Sequence, residues 1–308
     1  MMKALFIGLG SIGNRHSKNL RDICEKRGIP LSITALRSQH GSLRNKEFPQ
    51  VDRMITELDE ESYDLAFITN PTTLHAEAFQ KVREKAKFFF VEKPVFADTS
   101  MTPEQIGMDD SNVYVAAPMR FCKTYAQLKK EVSMNNVFAV RILCSSYLPD
   151  WRPQQDYRQV YSARKELGGG VAIDLIHEVD YMVDLFGFSE DCFMIRGHYS
   201  PLEINTDDLC LLIARYADKA VEVHLDYFGR TYRRTCECFC EDGSIVADFG
   251  AGTVTRPDGT VIHCEEPVNE RYIQEMERFI DFAQGKATNA NPPSLAYKVL
   301  RLALEAET

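Results

Sequence analysis

The 308-residue chain lacks several features that would point to particular classes of protein. No apolar run approaches the ~18 residues of a membrane span, and the N-terminus lacks the basic, apolar and small-residue order of a signal peptide. Acidic residues outnumber basic ones, 45 to 36, which gives a net charge of −9. That balance disfavours a nucleic-acid partner, because phosphate backbones bind basic surfaces. We therefore expect a cytoplasmic protein with no membrane or nucleic-acid partner.

A zinc-like cysteine pattern is also missing. The nine cysteines include an alternating set, Cys236, Cys238 and Cys240, but no C-x2-C pair. Alternating residues of a strand share one face, so these thiols are predicted to line a half-buried strand. No ligand set with zinc spacing accompanies them, and we predict no metal site.

The most informative stretch present is the N-terminal one. The apolar run Met2–Ile7 leads directly into Gly8-Leu9-Gly10-Ser11-Ile12-Gly13, and a helix-compatible run follows. In a strand–G-x-G-x-x-G–helix unit, the first glycine permits a tight turn, the second admits a pyrophosphate, and the third lets helix and strand pack closely. The context predicts a dinucleotide site that uses Gly8, Gly10, Ser11, Ile12 and Gly13.

Strand-like and helix-like runs alternate through the first part of the chain, which predicts a parallel sheet covered by helices on both faces. The predicted strands are nearly all apolar, as buried parallel strands are. They are Lys3–Ile7, Ser32–Arg37, Asp64–Thr69, Phe88–Glu92 and Asn112–Ala117.

Ligands bind beyond the carboxyl ends of such strands. Besides the glycine loop, two of these ends carry polar or turn-forming residues, predicted to contact the cofactor: Thr69, Asn70, Pro71, His75, Glu92 and Lys93. His75 has two alternative roles, contact with the nicotinamide ribose or a place at the start of a helix.

The pattern changes after about residue 120. A long strand, 138–145, and several strands between 192 and 264 predict an α+β domain with a large, mostly antiparallel open sheet. We divide the chain into a Rossmann domain, 1–120, and a second domain, 121–308, whose C-terminal helix packs back on the first. The fold class is α/β.

Three residues are candidates for proton and charge chemistry. Lys93 ends a buried strand, and Pro94 after it fixes the backbone, with a cis peptide as one option. Asp174 and His177 lie three apart on a predicted helix, 171–185, and therefore share a face, which Asp180 continues. Histidine moves protons near neutral pH. The alternatives are a surface lysine, and a helix with a satisfied histidine and solvated acids.

Four segments in order carry a family resemblance. They are G-L-G-S-I-G at 8–13, I-T-N-P-T-T-L-H at 68–75, V-E-K-P at 91–94 and G-G-G-V-A-I-D-L-I-H-E-V-D at 168–180. Together they resemble the glucose–fructose oxidoreductase/inositol dehydrogenase (Gfo/Idh/MocA) family over nearly the whole chain. The resemblance implies an NAD(P)-binding Rossmann domain, a substrate-binding domain that makes oligomer contacts, and catalysis by Lys93, Asp174 and His177. Many members place the acid four residues before the histidine, where this chain has Ile173.

The implied function is hydride transfer between a nicotinamide cofactor and a secondary alcohol or ketone of a sugar. A homodimer or homotetramer through the C-terminal sheet is implied as well. Two alternatives remain: a non-catalytic NAD(P)-binding regulator, and a reductase of a non-sugar ketone or imine.

An aromatic and basic loop suggests how substrate is held. Aromatic faces suit sugar rings, and arginines suit carboxylates or phosphates. Resemblance to family members with a similar Leu-Pro-Asp-Trp-Arg-Pro stretch implies acidic or amino sugars. The candidate substrate-binding residues are Trp151, Arg152, Tyr157 and Arg158, with Lys93, Asp174 and His177. The alternative is a loop that packs the domain interface.

The residues about 20 positions past the glycine loop bear on the cofactor. NAD enzymes normally carry an acid there that binds the ribose 2′-hydroxyl. This chain reads Ala35-Leu36-Arg37-Ser38-Gln39 instead. Arg37 and Ser38 suit a 2′-phosphate, which predicts NADP over NAD; stacking of Arg37 on the adenine is the alternative.

Overall fold

The computed structural model describes residues 1–37 and 47–305. Over these residues the chain forms two compact units. Unit 1 contains the described residues of 1–117 and 272–298, and unit 2 contains those of 118–271 and 299–305. The sequence-based division placed residues 272–298 in the second domain, but in the structure they group with unit 1.

The described elements are listed here in chain order. The strands are β1 (Met2–Ile7), β2 (Leu31–Leu36), β3 (Arg53–Ile55), β4 (Tyr63–Ile68), β5 (Ala86–Val91), β6 (Val113–Val115), β7 (Val137–Tyr147), β8 (Asp191–Gly197), β9 (Leu209–Arg215), β10 (Ala220–Asp226), β11 (Phe228–Cys240), β12 (Gly243–Asp248), β13 (Thr253–Thr255) and β14 (Val261–His263). The α-helices are α1 (Ser11–Lys26), α2 (His75–Val82), α3 (Pro103–Ile106), α4 (Lys123–Met134), α5 (Val171–Asp174), α6 (His177–Phe186), α7 (Glu270–Ala283) and α8 (Pro293–Glu305). Short 3₁₀ turns lie at Thr72–Leu74, Pro118–Phe121, Leu148–Trp151, Tyr157–Gln159, Tyr161–Ala163 and Lys165–Leu167.

Unit 1 contains a six-stranded parallel sheet in the order β3-β2-β1-β4-β5-β6. Chain order reverses between β1 and β4, and a doubly wound sheet binds its ligand at such a point. The central strands are buried because apolar side chains cover both faces of the sheet. The predicted Rossmann architecture is confirmed.

The core of unit 1 also uses helix α7, which comes from the far end of the chain. Met276, Phe279 and Ile280 are buried in the same cluster as Phe67 and other sheet residues. The Phe279 ring meets that of Phe67 edge to face, with centroids 5.5 Å apart. Such a pair contributes about 0.5–1.5 kcal/mol beyond its buried area. These contacts explain why residues 272–298 group with unit 1.

Unit 2 contains an eight-stranded sheet in the order β14-β13-β12-β11-β7-β10-β9-β8. Only the β7–β10 pair among these described strands is parallel, so the prediction of a mostly antiparallel sheet is confirmed. Cys236, Cys238 and Cys240 all point to the buried face of β11, as their alternation predicted.

The helix predicted over 171–185 is interrupted. Helix α5 ends at Asp174 and α6 begins at His177. Between them Leu175 adopts φ −98° and ψ 25°, and the amide of Ile176 bonds to the carbonyl three residues back, on Ile173. Asp174 and His177 therefore stand on either side of a break and not on one regular helix face.

Candidate active site

The glycine loop forms at the carboxyl end of β1 and requires two of its glycines sterically. Gly8 has φ +94°, and a Cβ there would lie 2.9 Å from the backbone of Asn70. A Cβ on Gly13 would lie 2.3 Å from the carbonyl oxygen of Gly8. The Thr69 hydroxyl donates to that same oxygen at 2.7 Å, which ties the end of β4 to the loop.

Gly10 and the start of α1 suit a bound phosphate. A Cβ on Gly10 would meet no described atom within 4 Å, so that side of the loop is open. Gly10 is the N-cap of the 16-residue helix α1; no side chain caps the helix, and no acid stands in its first turn. Its first amide donors and its dipole are therefore available to an anion. Ser11 is exposed and Ile12 is half-buried in this first turn. A dinucleotide pyrophosphate fits these features.

Asn70 offers a second fit to the cofactor. Its amide nitrogen donates to the carbonyl of Leu74 at 3.3 Å. Its Oδ1 is buried and accepts no hydrogen bond within the described part of the chain. An unpaired buried acceptor is costly, so a ligand N–H or O–H would relieve it. Pro71 then turns the chain into the 3₁₀ turn before α2.

The His75 ring connects two of the site loops. Its Nδ1 lies 3.1 and 3.2 Å from the carbonyl oxygens of Pro94 and Val95, and its Nε2 lies 3.1 Å from that of Asn70. Burial lowers the pKa of this imidazole. His75 is the first residue of α2 and is 1% exposed. This placement favours the helix-start alternative over direct contact with a ribose.

Lys93 follows β5 at the carboxyl end of the same sheet. The Lys93–Pro94 peptide is cis, the option that the sequence left open. Lys93 is half-buried, whereas Glu92 before it is buried. Oε1 of Glu92 lies 2.5 Å from Nε2 of His16, a wholly buried residue of α1. The backbone after β5 is thus attached to the helix that begins at the glycine loop.

The end of β2 carries Arg37. Its guanidinium lies over the Phe48 ring at 5.4 Å, and its amide donates to the carbonyl of Ile55. Ser38, which was predicted to share the 2′-phosphate, lies outside the described residues.

In unit 2 the three glycines at 168–170 let the backbone around Tyr161 pack closely against the start of α5. A Cβ on Gly169 would lie 2.1 Å from the Tyr161 carbonyl oxygen, so only glycine admits this approach. Gly170 has φ +133° and precedes α5 as its N-cap. The close packing allows the Tyr161 side chain to reach Asp174, to which it hydrogen bonds.

Asp174 is 6% exposed and accepts hydrogen bonds from two tyrosines. The Tyr227 hydroxyl donates to its Oδ2 at 2.5 Å, and Tyr161 donates as well. Burial, together with the adjacent charge of Asp174, raises the pKa of both phenols well above the usual value. Both phenols therefore stay protonated and serve as donors, which orients the carboxylate.

His177 opens α6 and is half-buried. The acids that follow it are engaged elsewhere. Glu178 pairs with Arg234 through bonds of 2.7 and 3.0 Å, and Asp180 pairs with Arg120 through bonds of 2.8 and 2.6 Å. These buried bidentate pairs anchor α6, so Asp180 does not extend a solvated acidic stripe.

The loop predicted to bind substrate approaches Asp174 through its aromatic residues. The Trp151 ring meets Tyr227 edge to face at 5.3 Å, and its indole N–H donates to Ser146 at 3.0 Å. Arg152 lies over the Tyr161 ring at 5.8 Å. A small recess is lined by Leu148, Trp151, Arg152, Tyr157, Val160 and Ser162.

Arg158 and Tyr157 have structural contacts instead. Arg158 is exposed and pairs with Asp156 and Glu203, each at 2.9 Å. The Tyr157 hydroxyl accepts from the amide of Glu203 at 3.2 Å. Of the two predicted arginines, Arg152 therefore lies beside the Asp174 cluster, whereas Arg158 joins a surface ion-pair group.

Sequence reasoning left His16, Tyr161 and Tyr227 out of the site. His16 carried a local signal, because it follows Gly13 by three residues on the inward side of an amphipathic helix. Tyr227 lies 53 residues from Asp174, and no local pattern connects the two. Among the described residues no group of His, Cys, Asp and Glu could hold a metal ion.

The comparisons with known proteins concern the N-terminal family and the overall fold. Residues 2–108 match the family model described as the oxidoreductase family with an NAD-binding Rossmann fold, GFO_IDH_MocA. No curated protein sequence matches the chain. No helix over residues 1–37 and 47–305 is long and apolar enough to cross a membrane.

Solved structures share the fold over nearly the full length. A levoglucosan dehydrogenase in complex with NADH and levoglucosan has 18% identity and a TM-score of 0.80, covering 98% of this chain and 95% of that one. A myo-inositol dehydrogenase from Corynebacterium glutamicum has 17% identity and a TM-score of 0.74, covering 98% and 94%. A UDP-N-acetylglucosamine 3-dehydrogenase from Acidithiobacillus ferrooxidans has 17% identity and a TM-score of 0.76, covering 99% and 96%.

The prediction of an oxidoreductase is confirmed, and the resemblance found in the sequence is confirmed over residues 2–108, which match the model of the Gfo/Idh/MocA oxidoreductase family with an NAD-binding Rossmann fold.

Proposed function

We propose that the chain transfers a hydride between NAD(P) and a secondary alcohol or ketone of a sugar or sugar derivative. The proposal is supported by two features that lie at the carboxyl edge of the unit 1 sheet. There the open, uncapped start of α1 and the half-buried Lys93 follow strands of the same sheet. A phosphate site and a lysine at that edge suit a cofactor-dependent reaction on a bound hydroxyl. The sugar and polyol dehydrogenases that share the fold support the substrate class.

The catalytic roles fall to Lys93, His177 and Asp174. The nicotinamide, when bound, supplies the hydride acceptor. His177 accepts the proton of the substrate hydroxyl at an imidazole nitrogen. The Lys93 ammonium stabilises the negative charge that develops on the substrate oxygen. Ketone reduction uses the same groups in reverse, with His177 returning the proton.

Asp174 is proposed to bind a neighbouring substrate hydroxyl. Tyr161 and Tyr227 already donate to it, and a carboxylate has further lone-pair sites for another donor. The two phenols fix its orientation before substrate arrives, which reduces the entropy lost on binding. His75 is proposed as a positioning residue that joins the Asn70 and Pro94 loops and does not touch the cofactor.

The preferred substrate is proposed to be an acidic sugar, with an amino sugar as the second class. Arg152 lies beside the Asp174 cluster and suits a carboxylate or phosphate. Trp151 offers an aromatic face for a sugar ring and is 38% exposed. Tyr157 and Arg158 stay weaker candidates, because their polar groups already bind Glu203.

A substrate panel tests the proposed function. Sugar acids, amino sugars, nucleotide sugars and neutral polyols are offered with NADP and NAD while the absorbance of the reduced cofactor is followed. We expect turnover, fastest with an acidic sugar. Cofactor binding without any turnover would favour the non-catalytic regulator, and turnover only with non-sugar ketones or imines would favour the other alternative.

We infer that NADP(H) is preferred over NAD(H). Arg37 stands at the end of β2, where NAD enzymes carry an acid, and it offers donors to a 2′-phosphate. Replacing Arg37 with Ala should raise Kd for NADPH about tenfold, the effect of losing one charge-assisted hydrogen bond, and leave Kd for NADH nearly unchanged. Titration of cofactor fluorescence measures both constants.

The matched control for Arg37 is Arg53→Ala, an exposed arginine of β3 that pairs with Asp59 and Glu61. It should leave both constants unchanged. Tighter binding of NADH than of NADPH by the unaltered protein would contradict the preference.

A homodimer or homotetramer is proposed to form through the open face of the unit 2 sheet. Phe193, Ile195 and Ile213 are 51%, 41% and 47% exposed on neighbouring strands β8 and β9. An Arg141–Glu222 ion pair lies farther along, on β7 and β10. A broad apolar patch with a charged border is typical of self-association. Light scattering should show an oligomer that Phe193→Glu dissociates, and a monomeric unaltered protein would contradict the proposal.

A further inference from the structure

The buried pair His16–Glu92 has no part in the chemistry assigned so far. His16 is 0% exposed, and its ring packs edge-on against Phe90 and Tyr272, at 4.9 and 6.0 Å between centroids. Its Nε2 lies 2.5 Å from Oε1 of Glu92. Its Nδ1 is buried and has no hydrogen-bond partner in the described part of the chain. Within residues 1–37 and 47–305, the hydrogen bond to Glu92 is therefore what satisfies the His16 ring in the core.

Glu92 is held as a carboxylate in spite of its burial. Burial alone would raise its pKa, but the hydrogen bond and charge of His16 and the charge of Lys93 bring the pKa below its usual value. The group therefore carries its negative charge throughout the neutral and alkaline range.

The second oxygen of Glu92 contacts the backbone of Lys93. Its Oε2 accepts the backbone N–H of Lys93 at 3.1 Å. Because the charge of Lys93 favours the Glu92 anion, the anion favours the Lys93 ammonium by the same amount. His75, whose imidazole is buried and has a lowered pKa, is also in electrostatic contact with Glu92.

We propose that Glu92, oriented by His16, is the positioning residue that keeps Lys93 charged and fixes its backbone for catalysis. The inference rests on the proposed function for its purpose, but the electrostatic coupling exists without any substrate. The carboxylate acts from inside the protein, where screening by salt is weak. A charged Lys93 is required, because a neutral amine cannot stabilise the developing oxyanion as an ammonium does.

The test follows the titration of Lys93 directly. The protein is labelled with ¹³C at the lysine ε-carbons, and the Lys93 signal is assigned by its loss in Lys93→Met. The midpoint is compared between the unaltered protein and Glu92→Gln, which keeps the size of the side chain. We expect Glu92→Gln to lower the midpoint by about one pH unit, and Glu92→Asp, which retains the charge, to restore most of it.

The matched control is Asp64→Asn, which removes a carboxylate of unit 1 at the start of β4, where it accepts from Lys3 and Lys87. It should leave the Lys93 midpoint unchanged. If Glu92→Gln proves unstable, the double variant His16→Asn/Glu92→Gln replaces the pair with two amides that can bond to each other. An unchanged Lys93 midpoint in whichever variant folds, or an equal shift in Asp64→Asn, would overturn the proposal.

The experiment separates this inference from the proposed function. If the Lys93 midpoint shifts in Glu92→Gln but the protein shows no turnover, the electrostatic coupling between Glu92 and Lys93 is supported. The missing turnover then counts only against the proposed hydride transfer. In an active protein the alkaline limit of kcat/KM should move to lower pH with Glu92→Gln.

Discussion

Replacement of Lys93 by Met should abolish turnover while leaving cofactor binding intact. Met keeps most of the length of the side chain but carries no charge, so the developing oxyanion loses its stabilising ammonium. Removing one such donor typically lowers kcat by 10²–10³, or about 3–4 kcal/mol, and a full charge in a partly buried site places the effect at the upper end. Steady-state kinetics and a cofactor titration measure the two quantities.

Lys87→Met is the control within the same strand. Lys87 lies at the opposite end of β5, is exposed, and pairs with Asp64. Its loss should leave kcat within about twofold, because exposed ion pairs contribute little. A near-normal kcat in Lys93→Met, or an equal loss in Lys87→Met, would contradict the role of Lys93.

Replacement of His177 by Asn should lower kcat by about 10²–10⁴. Asn retains a hydrogen-bond donor and acceptor for the substrate but cannot take up a proton, so binding should suffer less than the chemical step. We expect KM to change only a few-fold and the dependence of kcat on a basic group to disappear. A pH–rate profile of the variant beside that of the unaltered protein checks both expectations.

His263→Asn provides the comparison for His177. His263 lies on the exposed strand β14 and hydrogen bonds to Glu265. The variant should keep the normal profile. If His177→Asn raised KM strongly but left kcat and its pH dependence unaltered, His177 would bind substrate and not move the proton.

The parts of the molecule that the sequence predicted well are those governed by local chemistry. Gly8 and Gly13 are required by clashes within a short loop and its neighbouring strand end, so their spacing between a strand and a helix predicted the tight loop. The buried strands were recognisable because most of their residues are apolar. Strand β3, Arg53–Ile55, was missed because it is short and largely exposed at the sheet edge.

The contacts that the sequence could not provide join residues far apart in the chain. Tyr227 donates to Asp174 across 53 positions, and His16 meets Glu92 across 76. The break between α5 and α6 was missed for a related reason. Helical periodicity continues through Leu175, and only the backbone geometry there reveals the tighter turn. The sequence could thus nominate candidate site residues within each unit, but not the distant residues that contact them in the structure.

The central claim is hydride transfer to or from a sugar carbon, and isotope transfer measures it most directly. NADPH carrying deuterium at the transferable C4 position is incubated with the oxidised form of the best sugar from the panel, and the product is analysed by mass spectrometry. We predict one deuterium on the newly formed carbinol carbon, and none when Lys93→Met is used. A product without deuterium, or cofactor oxidation at the same rate without the sugar, would contradict the assignment.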